Sequence, residues 1–316
     1  MDKHPLRLKV QSIVAETRVI RSLILSVENG AVPPWQAGAH IRVALPDGGD
    51  RSYSLMALSD LPENTLALGV LREERSSGGS KFMHALKVGD FLSATMPINN
   101  FRLHDGASPA LLFAGGIGVT PILSMASELQ ARGSPYGLHY AGREQGRLAF
   151  LPHLGAICAK RLSVHYDSDE SRLDIAAALN DAPAEAHIYV CGPAGMIEAV
   201  KQASLVKGIP ADRIHYELFK AELSSSPNKA FEVELKSTGQ VVTVGADQSI
   251  IQALEAAGLE VLYDCQRGDC GICQCGVIEG VPDHRDVILS DDEKAANKVM
   301  QICVSRAKSE RLVLDL

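Results

Sequence analysis

The 316-residue sequence contains no apolar run that approaches the roughly 18 residues a membrane-crossing helix needs. Its start, Met1-Asp2-Lys3-His4-Pro5, lacks the apolar stretch of a secretory signal. A cytoplasmic protein is therefore expected, and in that compartment its 7 cysteines read as free, metal-bound or catalytic rather than as disulfides. There is no basic excess: 31 Lys and Arg face 38 Asp and Glu, which speaks against nucleic-acid binding. Internal repeats and low-complexity tracts are missing, and no Ser/His/Asp arrangement for nucleophilic catalysis is evident. The G-x-G-x-x-G fingerprint of dinucleotide-binding dehydrogenases is missing as well.

What is present fits two or three domains, because the chain is too long for one ordinary core and its 46% hydrophobic content can fill several. Charge divides them. From residue 230 onward, 15 Asp and Glu outnumber 8 Lys and Arg, so this segment carries the whole net charge of −7 and the first 229 residues are balanced. An acidic module on a neutral body suits steering toward a basic protein partner. The same excess also suits simple solubility.

Three textures follow one another. Residues 6 to about 104 hold short apolar runs such as 22–27 and 40–45, cut by Pro33-Pro34 and Asp47-Gly48-Gly49, which predicts a small antiparallel barrel. From about 107 to 220, strands expected at 110–114, 138–141, 162–166 and 187–191 alternate with helices, the pattern of an open parallel α/β sheet. One helix is expected from Thr120-Pro121 to Gly133, with Thr120 as N-cap and Gly133 just past the end. A polar stretch, 223–229, reads as a linker. Beyond it, runs 231–235 and 241–244 predict a hairpin, and Ser249 with Gln252 predicts a capped helix ending before Gly258.

The cysteines carry the sharpest signal. Cys265, Cys270 and Cys273 form C-x4-C-x2-C, with Cys303 as a distant fourth. Plant-type [2Fe–2S] centres use this spacing. Structural zinc also takes four cysteines, but usually from two separated knuckles rather than from one nine-residue loop. Gly268 and Gly271 let the backbone curl closely around sulfides. Cys275 and Cys158 read as packed thiols, and His284 as a surface residue.

Four motifs together resemble the phthalate dioxygenase reductase family, which belongs to the ferredoxin-NADP reductase superfamily and includes vanillate O-demethylase reductases. They are Arg51-Ser52-Tyr53-Ser54, Gly78-Gly79-Ser80-Lys81, Gly115-Gly116-Ile117-Gly118-Val119-Thr120-Pro121 and Cys191-Gly192-Pro193, ahead of the cysteine loop. The resemblance covers nearly the whole chain. It implies an FMN-binding β-barrel at 1–104, an NAD-binding α/β domain at 105–222, the linker 223–229 and a β-grasp [2Fe–2S] ferredoxin domain at 230–316.

The same resemblance implies roles for residues. Arg51 would pair with the flavin phosphate, Ser52 and Tyr53 would lie along the ring, and Ser54 would approach N5. Gly69, Val70, Arg72, Gly78, Gly79, Ser80, Lys81 and Asn100 would complete the FMN site, with FMN favoured over FAD. Gly115, Gly116, Gly118, Thr120, Pro121, Arg143, Gly192 and Pro193 would hold NADH, although Arg143 also suits a 2′-phosphate. Cys191 would shape hydride transfer beside the nicotinamide, with Ser54 on the flavin side, and Phe219 would pack between flavin and cluster. Trp35 reads as packing. Ile272 departs from relatives that carry Thr there, which removes a hydroxyl near the cluster. The implied activity is electron transfer from NADH through FMN to the cluster, and on to a separate terminal oxygenase, of the Rieske type, that acts on an aromatic acid. The alternatives are a reductase for a cytochrome or other acceptor, and a non-catalytic redox sensor. A monomer free of nucleic acid and membrane is expected.

Overall fold

Leu6, Leu8 and Val10 are buried while Arg7 is exposed, and this two-residue alternation starts the chain as a strand. The computed structural model describes residues 5–46, 49–74, 78–219, 228–264, 266, 268 and 270–316. Two compact units emerge, Met1–Glu217 and Leu218–Leu316.

The first unit begins with strands β1 (Leu6–Ala15), β2 (Ile20–Val27), β3 (His40–Ala44), β4 (Asp50–Ser54), β5 (Thr65–Leu71) and β6 (Phe91–Ala94), with helix α1 (Gly79–Ala85) between the last two. Their order is β4-β3-β6-β1-β2-β5. A bridge between Leu55 and Leu68 brings the two edges together, so the antiparallel sheet curls into the expected barrel. Its core is Leu8, Leu23, Leu25, Ile41, Leu55 and Leu68, and Trp35 packs against that core.

The same unit continues with β7 (Ala110–Gly115), α2 (Val119–Arg132), β8 (Tyr136–Gly142), α3 (Leu151–Cys158), β9 (Leu162–Tyr166), α4 (Ile175–Asp181), β10 (His187–Cys191), α5 (Ala194–Val206) and β11 (Ile214–Glu217). The strands are parallel, in the order β11-β10-β7-β8-β9. Strand order therefore reverses between β7 and β10, the place where open α/β sheets leave a crevice. Gly133 ends α2 in the left-handed conformation, φ 67°, as expected. Thr120 is not the N-cap, however. A 3-10 turn at Gly116–Gly118 comes first, Gly118 takes the cap position, and the buried Thr120 hydroxyl donates to the Ile117 carbonyl at 3.1 Å.

Helix α2 also ties barrel to sheet. The Ser124 hydroxyl donates to the Leu55 carbonyl at 2.8 Å and accepts from the Ala57 N–H at 3.0 Å. Glu128 accepts from the Ala37 N–H at 3.1 Å.

The histidines, scattered in sequence, pair across the parallel strands. His187 and His215 meet ring nitrogen to ring nitrogen at 3.0 Å, as do His139 and His165. His104 stacks on His187 with ring centroids 4.1 Å apart. Burial first, then the neighbouring imidazole, pushes His139 and His215 down to about 4. An unfolded chain would take up these protons near pH 6.5, so their neutral form stabilises the fold above that pH and the stabilisation is lost as pH falls toward 4. The thermal midpoint of the first unit should fall across that window, and the double variant His139→Phe/His215→Phe should flatten the slope. An equal slope in both proteins would remove the histidines as its source.

The second unit contains β12 (Phe231–Leu235), β13 (Val241–Val244), α6 (Ile250–Ala256), β14 (Gln274–Glu279), β15 (Pro282–Asp283), α7 (Asp291–Ala296), β16 (Val299–Gln301), β17 (Arg306–Ala307) and β18 (Arg311–Leu314). The main sheet runs β13-β12-β18-β14-β16, with β12 and β18 parallel. Helix α6 begins at the expected Ser249–Gln252 capping box and puts Ile250, Ile251 and Leu254 into the core with Val233, Val244 and Leu312. This is the β-grasp arrangement. His284 is not a surface residue: its side chain is 8% exposed and its Nδ1 lies 3.8 Å from Asp286. The neighbouring Asp283 pairs with Arg306 between the two-residue β15 and β17, and the His284 Nε2 lies 3.3 Å from Asn297 Oδ1.

Candidate functional site

Two motifs distant in sequence meet on the barrel. Arg51 projects from β4 so that a Cβ built on Gly79 would lie 2.5 Å from its Cγ. A side chain at 79 would displace Arg51, so glycine there is a condition of the contact. Gly78 precedes α1 with φ 112°, a backbone state that side chains rarely adopt. The Ser80 hydroxyl accepts the Glu73 N–H at 3.1 Å, which anchors the start of α1 to the segment of Arg72. Burial raises the Tyr53 phenol well above its ordinary value, and the nearby Arg51 guanidinium opposes that rise. Ser52 is half-buried, Lys81 is exposed, and Ser54 is buried at the end of β4 opposite His40.

Other expected residues stand differently. Val70 is buried in the barrel core, so only its backbone is available, and its carbonyl lies 3.0 Å from His84 Nε2. Gly69 is packed against the second half of the unit, where a Cβ would lie 2.6 Å from Thr120. Asn100 is exposed, while its neighbour Asn99 braces the loop by donating to the Ala37 carbonyl at 3.0 Å and accepting from the Phe101 N–H at 3.1 Å.

The strand-order reversal opens a cleft of about 570 Å³. Gly115, Gly116, Arg143 and Pro193 line it, as do Val19, Ile20 and Leu71 from the barrel. Gly118, Thr120, Pro121, Cys191 and Gly192 do not line it; they form its backing. A Cβ on Gly118 would fall 2.2 Å from the Cys191 carbonyl oxygen, and one on Gly115 would fall 2.7 Å from Pro193. The glycines therefore let two chain segments touch, backbone to backbone, where the cleft begins. Thr120 and Pro121 are buried in α2 and pack there.

Sequence reading missed Arg147, Asp167 and Arg172, which share the cleft with Arg143. Asp167 follows β9 directly and donates its N–H to the Gly142 carbonyl at 3.0 Å, which sets it beside Arg143. An acidic residue just past a strand of the parallel sheet was a readable signal. The arginines gave none, since they come from two separate loops.

In the second unit Cys265 lies outside the described residues. Cys273 and Cys303 are buried, at 4% and 7% exposure, and Cys270 is half-buried. The Ile302 N–H donates to the Cys273 carbonyl at 3.3 Å and brings Cys303 alongside. Gly268 and Gly271 hold φ 81° and 77°. A Cβ on Gly268 would lie 2.6 Å from Val304 and 3.0 Å from Asp286, so the loop can curl only with glycine there. Among the described residues, which exclude Cys265, no three His, Cys, Asp or Glu side chains gather as a metal group. A thiol-only donor set, with Cys273 and Cys303 buried and the loop curled at two glycines, nevertheless fits a [2Fe–2S] group chemically. Cys275 is a packed thiol pushed up to about 11 by burial, and Cys158 is likewise buried and raised. Phe219 is half-buried.

Comparison with known proteins agrees with these motifs. A family described as "2Fe-2S iron-sulfur cluster binding domain" matches residues 233–308, and one described as "Oxidoreductase NAD-binding domain" matches residues 112–202. Vanillate O-demethylase oxidoreductase of Pseudomonas sp. (strain HR199 / DSM 7063) is 42% identical over 97% of this chain and 100% of its own. Phenoxybenzoate dioxygenase subunit beta of Ectopseudomonas oleovorans is 39% identical over 99% and 98%. The solved structure of phthalate dioxygenase reductase, described as modular for electron transfer from pyridine nucleotides to [2Fe-2S], superposes with a TM-score of 0.81 at 35% identity, covering 99% of this chain and 98% of that one.

Proposed function

The chain belongs to the phthalate dioxygenase reductase family, and from that membership we propose that it passes electrons from NADH through FMN and a [2Fe–2S] cluster to a Rieske-type terminal oxygenase. The carrying observation is the co-occurrence of a glycine-backed cleft, an Arg–Gly phosphate corner on a barrel and a C-x4-C-x2-C loop in one chain. When bound, NADH supplies a hydride, FMN divides it into single electrons and the cluster carries them one at a time.

The residues supply position and charge. Arg51, Ser80, Lys81 and the amides around Gly78 and Gly79 hold the FMN phosphate, with Arg72 beside them. Ser52, Tyr53, Gly69, the Val70 backbone and Asn100 would bound the ring, and buried Ser54 would lie at its reactive edge. Gly115 and Gly116 admit the pyrophosphate closely, while Gly118, Thr120, Pro121 and Gly192 fix the backing. Cys191 and Pro193 set the nicotinamide end, and Arg143 the adenosine end. Cys265, Cys270, Cys273 and Cys303 would hold the cluster, with half-buried Phe219 packing between it and the flavin. The domains then run 1–104, 105–222 and 230–316, with 223–229 as linker; residues 220–227 lie outside those described. Leu262 just before the cysteine loop and Ile272 within it, 84% and 49% exposed, lie on the acidic unit and offer an apolar contact with charge around it to a basic oxygenase surface.

Anaerobic titration with NADH tests the proposal. Flavin and iron–sulfur absorption should bleach together, and a purified Rieske-type oxygenase should turn over with NADH only when this chain is added. A colourless protein containing zinc would overturn it.

Asp167 tests the choice of nucleotide. A carboxylate there accepts from a ribose hydroxyl and repels a 2′-phosphate, for which Arg143, Arg147 and Arg172 would otherwise be well placed. Asp167→Ser should reduce the NADH-over-NADPH ratio of kcat/KM by about tenfold, equivalent to about 1.4 kcal/mol of transition-state binding. An unchanged ratio would place ribose recognition elsewhere.

A further inference from the structure

Gln301 has no exposed surface, although its side chain ends in a polar amide. It ends β16 opposite Gln274 of β14. Its Nε2 donates to Gln274 Oε1 at 3.0 Å, and its Oε1 accepts from the Cys273 thiol at 3.5 Å. That direction suits a protonated thiol. A thiolate that ligates iron carries no proton and only accepts, so the amide oxygen would face it as acceptor against acceptor in a buried site. The oxygen and nitrogen of a primary amide are nearly equal in shape, and turning the group exchanges them in place. If both glutamines turn, all contacts survive with reversed direction: Gln274 donates to Gln301, and Gln301 donates to sulfur.

We propose that Gln301 donates its side-chain N–H to the cluster-bound thiolate of Cys273 and thereby raises the reduction potential of the cluster. The proposal rests on the cluster reading above. Reduction adds one electron, delivered from the flavin, to the four-thiolate cluster with no accompanying proton. The reduced form is therefore more negative by one charge, and an N–H aimed at its sulfur stabilises it more than the oxidised form. Gln274 is a positioning residue, since its side chain pairs with the Gln301 amide rather than with the Cys273 sulfur.

The test uses the full, cofactor-loaded chain with Gln301→Leu and Gln274→Leu. Visible absorption with iron and sulfide analysis comes first, and absence of a cluster from the unaltered protein would overturn the proposed function rather than this refinement of it. Spectroelectrochemical titration should then show a lower potential in Gln301→Leu, on the order of a tenfold loss in the reduction equilibrium constant, or about 59 mV for one electron. Gln274→Leu should shift it less, in the same direction. In unaltered protein with 15N-labelled glutamine side chains, pulsed EPR of the reduced cluster should show coupling to an amide nitrogen that Gln301→Leu abolishes. If Gln301→Leu fails to load iron, the coupling in the unaltered protein decides. An unshifted potential, or no 15N coupling, would overturn the proposal.

Discussion

Replacing Cys303 with serine is expected to abolish NADH-driven reduction of cytochrome c or an oxygenase, a loss of at least about a hundredfold, while NADH-driven reduction of ferricyanide stays within about twofold. A serine hydroxyl at neutral pH is protonated and hard, and it does not replace a thiolate on iron. The neighbourhood makes compensation difficult. Cys303 is 7% exposed and sits in the core with Met300 and Ile302, so water has little room to serve as a substitute ligand. The remaining free thiol nearby, Cys275, is directed at the Asp315 and Gly276 carbonyls, where burial keeps it protonated. The nucleotide and flavin motifs lie in Met1–Glu217, a compact unit of its own, so loss of the cluster leaves their chemistry in place. Cys275→Ser is the control and should retain the iron–sulfur spectrum. A Cys303→Ser protein that keeps both its cluster and its cytochrome c activity would show that another residue is the fourth ligand.

The elements legible in the sequence are those whose determinants are local. The Ser249–Gln252 capping box, the alternation along 231–235 and the apolar run at 110–114 each state their structure within a few residues, and each appears at the expected place; the C-x4-C-x2-C spacing is an equally local signal, with Cys265 outside the described residues. The misread parts depend on partners far along the chain. Thr120 is a sound N-cap by residue type, but a 3-10 turn forms ahead of it because Gly116 reaches φ 54° and Gly118 can press against β10. His187 and His215 look unrelated until parallel pairing of β10 with β11 sets them side by side. Asp167 and Arg172 join Arg143 only when the ends of β8 and β9 are aligned. Gln301 could not be connected to Cys273 without the β14–β16 register. Local pattern named the modules, and cross-strand register assembled their sites.

Gly118→Ala is expected to slow flavin reduction by NADH about a hundredfold with flavin and cluster content unchanged. The substitution adds one methyl group and asks nothing unusual of the backbone, since Gly118 has φ −60° and ψ −7°. The obstacle is space: the new Cβ would lie 2.2 Å from the Cys191 carbonyl oxygen, 2.4 Å from its carbon and 2.8 Å from the Gly192 nitrogen. All three are main-chain atoms, so no rotamer change can relieve the contact, and the start of α2 must separate from the end of β10 by roughly an ångström. Overpacking of this kind costs about 1–3 kcal/mol of stability. The kinetic effect is larger, because in the proposed site the two segments hold the pyrophosphate and the nicotinamide end, and a shift of about 1 Å in reactant alignment can cost about a hundredfold in rate. Gly155→Ala in α3 is the matched control. Apart from its own helical turn nothing lies within 4 Å of its added Cβ, so it should leave the rate unchanged and raise stability slightly, by about 0.4–1 kcal/mol. Stopped-flow measurement of flavin reduction separates the two, and a Gly118→Ala rate within twofold of the parent would mean that NADH is not held where β7 and β10 diverge.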